Sequence, residues 1–277
     1  MIPAAFDYVR ADSADHAIEL LGEHGDDAKL LAGGHSLLPL MKLRLATPAV
    51  LIDVGRVTDL SYVRDAGDHI AVGALTRHHD LEHSDLLGAQ APLLQHVAGQ
   101  VGDPQVRHRG TIGGSVAHGD PASDLPAALI ALRATLVAQG PSGTREIAVD
   151  DFFTGFLETA LDPVEVLTEI RVPKVPGAGW SFQKFNRRAQ DWAIVGVAAL
   201  HGNGSGGSTG IGLVNMGAVP LRAAEAEGVA ASGGGATAAA DVADAGTEPT
   251  DDLNATAEYR RHLVKVLTRR ALEAAGA

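Results

Sequence analysis

The sequence predicts an α+β fold in three consecutive parts: a small α/β unit over residues 1–55, a mixed α+β unit over 56–173 and a C-terminal α+β domain over 174–277. Three observations predict it. The 277 residues correspond to about two domains at ~150 residues each. Strand-like and helix-like runs alternate in the first 55 residues. Two prolines and two glycines in Pro173–Gly179 then interrupt the chain, and we place the boundary of the last domain there.

The first part has the capping residues of a β-α-β unit. Ser13 is a suitable N-cap for a helix that buries Ala17, Ile18, Leu20 and Leu21 and ends before Gly25. Apolar runs on either side of it predict strands. We predict strands near 6–9, 29–32 and 50–54, with a short helix at 37–45.

The second part alternates in the same way and contains a clear hairpin signal. Gly140–Gly143, with Pro141 and Ser142 between the glycines, predicts a tight turn between two strands. Thr76 is the predicted N-cap of a helix that continues to about Leu87. We further predict strands at 70–74, 135–138, 145–149 and 164–172, helices at 91–98 and 125–132, and an irregular glycine-rich stretch at 103–119.

The third part predicts an antiparallel sheet with packed helices. Strand-like runs occupy 180–185, 192–200 and 210–216, and residues 222–230 predict a helix. The alanine- and glycine-rich segment 230–240 and the acidic stretch that follows predict a surface loop. The last helix, 257–274, is amphipathic. We expect Tyr259, Leu263, Val266 and Leu267 to face inward and Arg260, Arg261, Lys265, Arg269 and Arg270 to face outward.

Composition excludes several classes of function. The formal net charge of −12 disfavours binding to nucleic acid, because phosphate backbones repel an acidic chain. The absence of cysteine excludes disulfides, thiolate-ligated clusters, a catalytic thiol and a flavin attached through sulfur. The N-terminal segment has no basic and apolar leader pattern, and no apolar run approaches the ~18–20 residues of a membrane span. We therefore expect a cytoplasmic protein.

Two glycine pairs indicate an anion site. Ala32-Gly33-Gly34-His35-Ser36 and Thr111-Ile112-Gly113-Gly114-Ser115 each place a hydroxyl just after two adjacent glycines. Glycine allows close approach of the backbone, and successive N–H groups form a concave donor site for phosphate oxygens. Two such loops suit the two phosphates of a dinucleotide. The alternative for each pair is a tight turn without a ligand.

Other nucleotide motifs find no support. Residues 202–207 match G-x-G-x-x-G, but a strand-like run follows where the dinucleotide fingerprint needs a helix, so we interpret them as a hairpin loop. No Walker A pattern occurs. Arg107-His108-Arg109 precedes the second glycine pair, where it is suited to offset phosphate charge, to form salt bridges or to contact a subunit.

Residues 32–45 (AGGHSLLPLMKLRL) and 111–126 (TIGGSVAHGDPASDLP) resemble the two signature loops of the FAD-binding medium subunits of the molybdenum hydroxylases, the xanthine dehydrogenase and aerobic carbon monoxide dehydrogenase family. Residues 172–173, 185–195 and 259–272 resemble later segments of that family, so the resemblance runs nearly end to end. It implies a vanillyl-alcohol-oxidase-like (PCMH-like) FAD-binding region of two subdomains, followed by a domain that covers the flavin ring.

The resemblance also implies a set of FAD-binding residues. Both glycine loops correspond to the segments that hold the pyrophosphate, and His35, in place of a commoner Gln or Asn, is typical of the carbon monoxide dehydrogenase branch. Lys184 corresponds to a contact near the ring, where a cation stabilises negative charge on the reduced flavin. Trp192 corresponds to a ring cover. The full set is Ala32, Gly33, Gly34, His35, Ser36, Val101, Thr111, Ile112, Gly113, Gly114, Ser115, Asp124, Leu167, Lys184 and Trp192.

Each of these residues also has a structural interpretation. Asp124 is equally suited to cap a helix, Lys184 to lie exposed on a strand and Trp192 to pack in a core. His78, His79 and His83 fall on one predicted helix, but no metalloprotease-type motif surrounds them. We interpret them as a solvated helix face and predict no metal site and no catalytic residue in this chain.

The resemblance implies an electron-transfer subunit with non-covalent FAD. Molybdenum cofactor and [2Fe–2S] clusters then belong to a large and a small partner subunit, in a dimer of heterotrimers at the inner face of the membrane or free in the cytoplasm. The acceptor is a quinone, a cytochrome or oxygen. Aerobic carbon monoxide dehydrogenase is the favoured complex; the alternatives are a hydroxylase of an N-heterocycle, a purine or an aromatic CoA ester, and a non-redox nucleotide-binding subunit.

Overall fold

Three β-sheets follow one another along the chain, each with its own helices. The structure is a computed structural model, and it describes residues 2–203 and 208–277. The three sheets have three, five and four strands, and the second part of the chain also contains a separate two-stranded ribbon. The predicted α+β class is confirmed. Among the described residues, no helix combines the length and apolar composition that a membrane crossing requires.

The first sheet is parallel, in the order β1-β3-β2. The Ser13 hydroxyl accepts a hydrogen bond from the N–H of His16 at 3.0 Å and so caps α1, which ends at Gly25 as predicted. The apolar face of α1 is buried against the sheet. The elements are β1 (Asp7–Arg10), α1 (Ala14–His24), β2 (Ala28–Leu31), α2 (Leu37–Leu43) and β3 (Val50–Asp53).

The second sheet is antiparallel, in the order β4-β5-β10-β6-β7, and packs against helices on one face. Gly140 and Gly143 close the predicted hairpin between β6 and β7. The elements are β4 (Val63–Asp65), β5 (His69–Gly73), α3 (His78–Glu82), α4 (Asp85–Gln90), α5 (Pro92–Gly99), α6 (Pro104–Arg107), α7 (Ile112–His118), α8 (Asp124–Ala131), β6 (Thr135–Gly140), β7 (Gly143–Ala148), β8 (Phe153–Gly155), β9 (Glu158–Thr159) and β10 (Val166–Pro173).

The third sheet is antiparallel, in the order β11-β12-β13-β14, with three helices packed on it. The 202–207 cluster lies at the junction of β12 and β13, and its residues 204–207 are outside the described residues. The elements are β11 (Gly179–Phe185), β12 (Val195–Asn203), β13 (Ser208–Val214), β14 (Leu221–Arg222), α9 (Ala224–Ala231), α10 (Gly235–Asp241) and α11 (Ala257–Ala275).

Helix α8 connects the second and third sheets. Every residue of α8 is buried, as expected for a helix that is apolar on all sides. A Cβ on Gly210 or Gly212 of β13 would overlap a backbone carbonyl of α8. The two glycines therefore allow α8 and β13 to approach at backbone distance.

Four predictions of local structure were wrong. The stretch 103–119, expected to be irregular, contains α6 and α7, because the Asp103 carboxylate and the Thr111 hydroxyl cap these two helices. The helix expected from Thr76 to Leu87 is two short helices, because Ser84 starts α4 by accepting from the N–H of Leu87. The 230–240 segment is largely helical, since the small alanines of α10 pack closely against α11. In α11, Arg260 is 1% exposed and Tyr259 is 43% exposed, the reverse of the expected orientation. Arg260 is buried because Asp252 and the carbonyl of Ile194 bind its guanidinium.

Candidate functional site

One large cavity, of about 910 Å³, lies where the three parts of the chain meet. Its walls come from the loop between β2 and α2, from α7, the start of α8, the β8–β9 ribbon, β10, β11 and the segment before β12. All of the predicted FAD-binding residues line it except Ile112, whose side chain lies in the core. The residues that the resemblance implies for FAD binding therefore share one cavity, apart from Ile112.

The first glycine loop offers free donors to this cavity. Among the described residues, the backbone N–H groups of Gly33–Leu37 find no acceptor. Gly34 has φ +78°, a conformation that favours glycine and turns the chain from β2 into α2. The Ser36 hydroxyl makes no capping bond to α2. This loop is a concave set of N–H groups with the geometry to bind an anion.

The second glycine loop is built differently, although its sequence pattern is similar. It forms the first turn of α7, and the Thr111 hydroxyl caps that turn by accepting from the N–H of Gly114 at 3.2 Å. The N–H of Gly113 donates to the carbonyl of Ala74 at 2.8 Å. A Cβ on Gly113 would lie 2.6 Å from that same carbonyl oxygen, so glycine is required by a close backbone crossing.

The first glycine loop packs directly on the residues that precede the second glycine loop. A Cβ on Gly33 would overlap the carbonyl oxygen of Arg109, which precedes the second loop. The Ser115 hydroxyl is 3.2 Å from Nε2 of His78. His78 is buried, and burial lowers its pKa to about 4, so the ring is neutral at pH 7. The prediction of a solvated face is therefore wrong for His78.

Asp124 and Lys184 form a buried ion pair in the cavity wall. Nζ of Lys184 donates to Oδ2 of Asp124 at 2.6 Å and to the carbonyl of Gln100 at 3.0 Å. Burial raises the pKa of Asp124 to about 6, while the ammonium of Lys184 opposes that rise. Oδ1 of Asp124 is buried without a hydrogen-bond partner among the described residues. The pair joins α8 to β11 and leaves one acceptor for a ligand.

Three apolar side chains that line the cavity differ in their exposure to solvent. Trp192 is 60% exposed beside Gln190 and Asp191, so the core alternative for Trp192 is wrong. Leu167 on β10 is buried and Val101 is half-buried. A second cavity of about 510 Å³ shares Asp191 and Trp192 with the first. Trp192 therefore separates two open spaces.

Sequence reasoning missed several groups at this site. The β8–β9 ribbon lines the cavity through Thr154 and Leu157–Thr159, and Leu157 has φ +58°, which no residue type there indicates. His78 was noted but not assigned to the cavity, and its spacing from Ser115 gave no signal. Arg107 forms the salt bridge that was one of its three interpretations, to Glu82 at 2.7 Å.

The cavity fits a flavin dinucleotide. Its volume lies near the upper end of the ~300–1,000 Å³ found for ligand sites. One part of its lining has free N–H donors for phosphate, and another part has an unpartnered carboxylate oxygen and a buried cation. Apolar side chains line the space between. Phosphates, a ribityl chain and a flat ring system need these three environments.

Comparison with protein families agrees with this geometry. The family model described as "FAD binding domain in molybdopterin dehydrogenase" matches residues 4–175. The model described as "CO dehydrogenase flavoprotein C-terminal domain" matches residues 180–275. The fold and the cavity are those of a flavoprotein subunit of an oxidoreductase complex. The chain belongs to the FAD-binding medium subunits of the molybdenum hydroxylase family.

Individual relatives align along the whole chain. The carbon monoxide dehydrogenase medium chain of Hydrogenophaga pseudoflava is 44% identical, and the alignment covers 100% of this chain and 99% of that one. A solved structure of carbon monoxide dehydrogenase from that organism is also similar, in a form that lacks the Mo-pyranopterin moiety of the molybdenum cofactor. The TM-score is 0.95 at 44% identity, and the superposition covers 100% of this chain and 99% of that one. The 6-hydroxypseudooxynicotine dehydrogenase complex subunit alpha of Paenarthrobacter nicotinovorans is 39% identical, over 98% of this chain and 95% of that one.

Proposed function

We propose that this chain binds FAD non-covalently in the 910 Å³ cavity and carries electrons between two partners. The electrons come from [2Fe–2S] clusters of a small subunit, which a large molybdopterin-binding subunit reduces. They leave to an external acceptor such as a quinone. The observation that carries the proposal is that the free N–H groups of Gly33–Leu37 and the buried Asp124–Lys184 pair line one cavity.

The chain's own residues bind and orient the cofactor. The N–H groups of Gly33–Leu37 and the Ser36 hydroxyl donate to the pyrophosphate, while Thr111–Ser115 form the facing wall. Lys184 supplies positive charge beside the ring, and its bond to Asp124 fixes its position. Trp192 covers the ring, and Val101 and Leu167 exclude water from it. FAD supplies the chemistry of accepting electrons singly or in pairs.

The division of labour follows from the composition. Clusters of the [2Fe–2S] type need thiolate ligands, and this sequence has no cysteine, so the clusters belong to a partner. The proposed organisation is two FAD-binding subdomains, 1–55 and 56–173, with a covering domain at 174–277. We place the chain in a cytoplasmic dimer of heterotrimers that associates as a peripheral complex with the inner face of the membrane.

Carbon monoxide is the proposed reducing substrate of the complex. The 44% identity to the Hydrogenophaga pseudoflava medium chain supports it, as does His35, which is typical of that branch. A hydroxylase of an N-heterocycle is the second candidate, because a relative with another named substrate is 39% identical along nearly the whole chain. A purine or an aromatic CoA ester would act through the same flavin subunit.

The experiment is to purify the complex with an affinity tag on this chain and to record its visible spectrum. The spectrum is then recorded again after addition of carbon monoxide, of an N-heterocycle and of dithionite, each in a separate sample. We expect flavin absorbance that bleaches with carbon monoxide, and FAD in the supernatant after acid precipitation. Absence of flavin would refute the proposed cofactor. Flavin that bleaches only with N-heterocycles would refute carbon monoxide alone. Nucleotide without any bleaching, even with dithionite, would favour the non-redox alternative.

A further inference from the structure

Three histidines form a cluster on the outer side of the second part of the chain. His79 and His83 lie one helical turn apart, the first on α3 and the second at its C-terminal end, and their rings are 4.3 Å apart. The ring of His108, from the segment after α6, lies 4.2 Å from that of His79. Of the 12 histidines in this acidic chain, two therefore pack against the ring of a third, His79.

Glu82 completes a set of ligand atoms. Single donor atoms of His79, Glu82 and His83 all lie within 4.8 Å of one another. Tetrahedral coordination at ~2.0–2.1 Å from a metal would bring such atoms to about 3.4 Å apart, which small side-chain rotations achieve. Two imidazoles and a carboxylate are ligands that suit Zn²⁺ and its neighbours, whereas Mg²⁺ and Ca²⁺ prefer oxygen alone.

Hydrogen bonds already present orient these ligands. Nδ1 of His83 donates to the carbonyl of His79 at 2.9 Å and lies 3.9 Å from Oε2 of Glu82, so Nε2 of His83 carries a lone pair that is available to a metal. Neither ring nitrogen of His79 has a hydrogen-bond partner among the described residues. Nε of Arg107 donates to Oε2 of Glu82 at 2.7 Å and leaves Oε1 open. Partners of this kind, bound behind the ligand atoms, are what fixes metal ligands in known sites.

We propose that His79, Glu82 and His83 bind one divalent transition ion of the Zn²⁺ type, with water in the fourth position. The ring of His108 packs against His79 and holds it in place. The ion links α3 to the segment 103–110 through the pair between Glu82 and Arg107. That segment contains Arg109, whose carbonyl packs on Gly33. Binding therefore stabilises the support behind the first glycine loop.

The test is a titration of the full-length chain, without an affinity tag, with ZnSO₄ followed by calorimetry and thermal unfolding. We expect one Zn²⁺ per chain and a Tm that rises with free Zn²⁺, as linkage requires for an ion that binds only the folded state. The double variant H79A/H83A should bind tenfold or more weakly and lose the rise in Tm. The variant E82Q, which keeps the shape of the side chain, should fall between the two.

A matched control separates this site from the other histidines. His24 is half-buried and His262 is exposed, the same combination as His79 and His83, and both lie on other helices. The variant H24A/H262A should bind Zn²⁺ like the unaltered chain. Equal affinity in H79A/H83A, or equal loss in both double variants, would overturn the proposal. Circular dichroism without metal checks that each variant is folded, and if H79A/H83A is not, H83N alone replaces it.

Discussion

The two glycine loops share a sequence pattern but not a structural role. In the first, the N–H groups of Gly33–Leu37 find no acceptor among the described residues, and these residues line the cavity. In the second, the N–H groups of Ile112 and Gly113 donate to neighbouring carbonyls, and that of Gly114 to the Thr111 hydroxyl. One loop therefore has donors to offer a ligand, and the other uses its donors to hold the backbone.

The residues that line the cavity divide in the same way, into groups without internal partners and groups that are hydrogen-bonded or paired within the protein. We call Gly33–Leu37 and Trp192 the open wall, because these groups lack internal partners. We call Thr111–Ser115 with Asp124 and Lys184 the paired wall, because internal hydrogen bonds and an ion pair hold it. Substitutions in the paired wall should lower stability, and substitutions in the open wall should lower FAD affinity alone. Five experiments test this division.

The largest effect is expected at Lys184. Replacing it with methionine (K184M) leaves the Asp124 carboxylate buried without its cation, and removing one partner of a buried pair costs about 3–5 kcal/mol. Urea unfolding at pH 7.5 measures the loss. A loss below about 1 kcal/mol would show that the pair is not structural and that Lys184 belongs with the open wall.

The pH dependence of the same pair supplies a second readout. The pKa of Asp124 is about 6 in the folded chain against 3.8 ordinarily, so the folded state binds the proton more tightly. This group therefore makes the free energy of unfolding fall as pH rises from about 4 to about 6. In K184M the fall should extend above pH 6, because the ammonium no longer lowers the pKa. In D124N it should disappear.

The next effect is expected at Gly113. In G113A the new Cβ meets the backbone of Ala74, so the crossing must open, at a cost of about 1–3 kcal/mol. Thermal unfolding of the flavin-free chain should show the loss, because the cause does not involve FAD. The control is G22A in α1, where nothing lies within 4 Å of the added atom, and which should raise stability slightly. A stable G113A would remove the packing argument for the second loop.

A smaller effect on binding distinguishes the two serines. S36A removes an unpaired hydroxyl from the open wall, so FAD affinity should fall about fivefold, the equivalent of ~1 kcal/mol, with stability unchanged. S115A removes the partner of His78, so stability should fall by about 1 kcal/mol with little change in FAD affinity. Fluorescence titration of the flavin-free chain with FAD measures both. The reverse ranking would contradict the division into two walls.

The smallest effect is expected at Trp192. W192A removes an aromatic cover that contributes ~0.5–1.5 kcal/mol where rings stack, and we expect about threefold weaker FAD binding. Unfolding should be unaffected, since the side chain is 60% exposed. F156A is the control, because Phe156 is 64% exposed and lines only the neighbouring cavity. Equal losses of FAD affinity in both variants would show that Trp192 does not cover the ring.

Local sequence signals predicted the elements that depend on nearby residues. The Ser13 cap, the hairpin at Gly140–Gly143 and α8 form as expected, because caps, turns and apolar periodicity act within a few residues. The family resemblance, rather than periodicity, placed Lys184 and Trp192 beside the glycine loops. No local pattern brings β11 to the start of α8, since that contact spans 60 residues.

Three of the errors have a common physical cause, which is partners distant in sequence, whereas the break at Ser84 comes from a local cap. Periodicity assigned Arg260 to solvent, but Asp252 and the Ile194 carbonyl bind it inside. The alanine- and glycine-rich composition of 230–240 predicted a loop, but burial against α11 stabilises helices there. The second glycine pair suggested a phosphate loop like the first, and only the positions of Ala74 and Thr76 show that its N–H groups are occupied.

The glycines of β13 have a consequence for how the chain can vary. Gly210 and Gly212 of β13 pack against the backbone of α8. The first turn of α8 carries Asp124, and β11, which lies in the same sheet as β13, carries its partner Lys184. A side chain at either glycine would wedge the sheet away from the helix and draw the two charges apart. Two positions that contact no ligand thus set the shape of the pocket as firmly as the residues that line it.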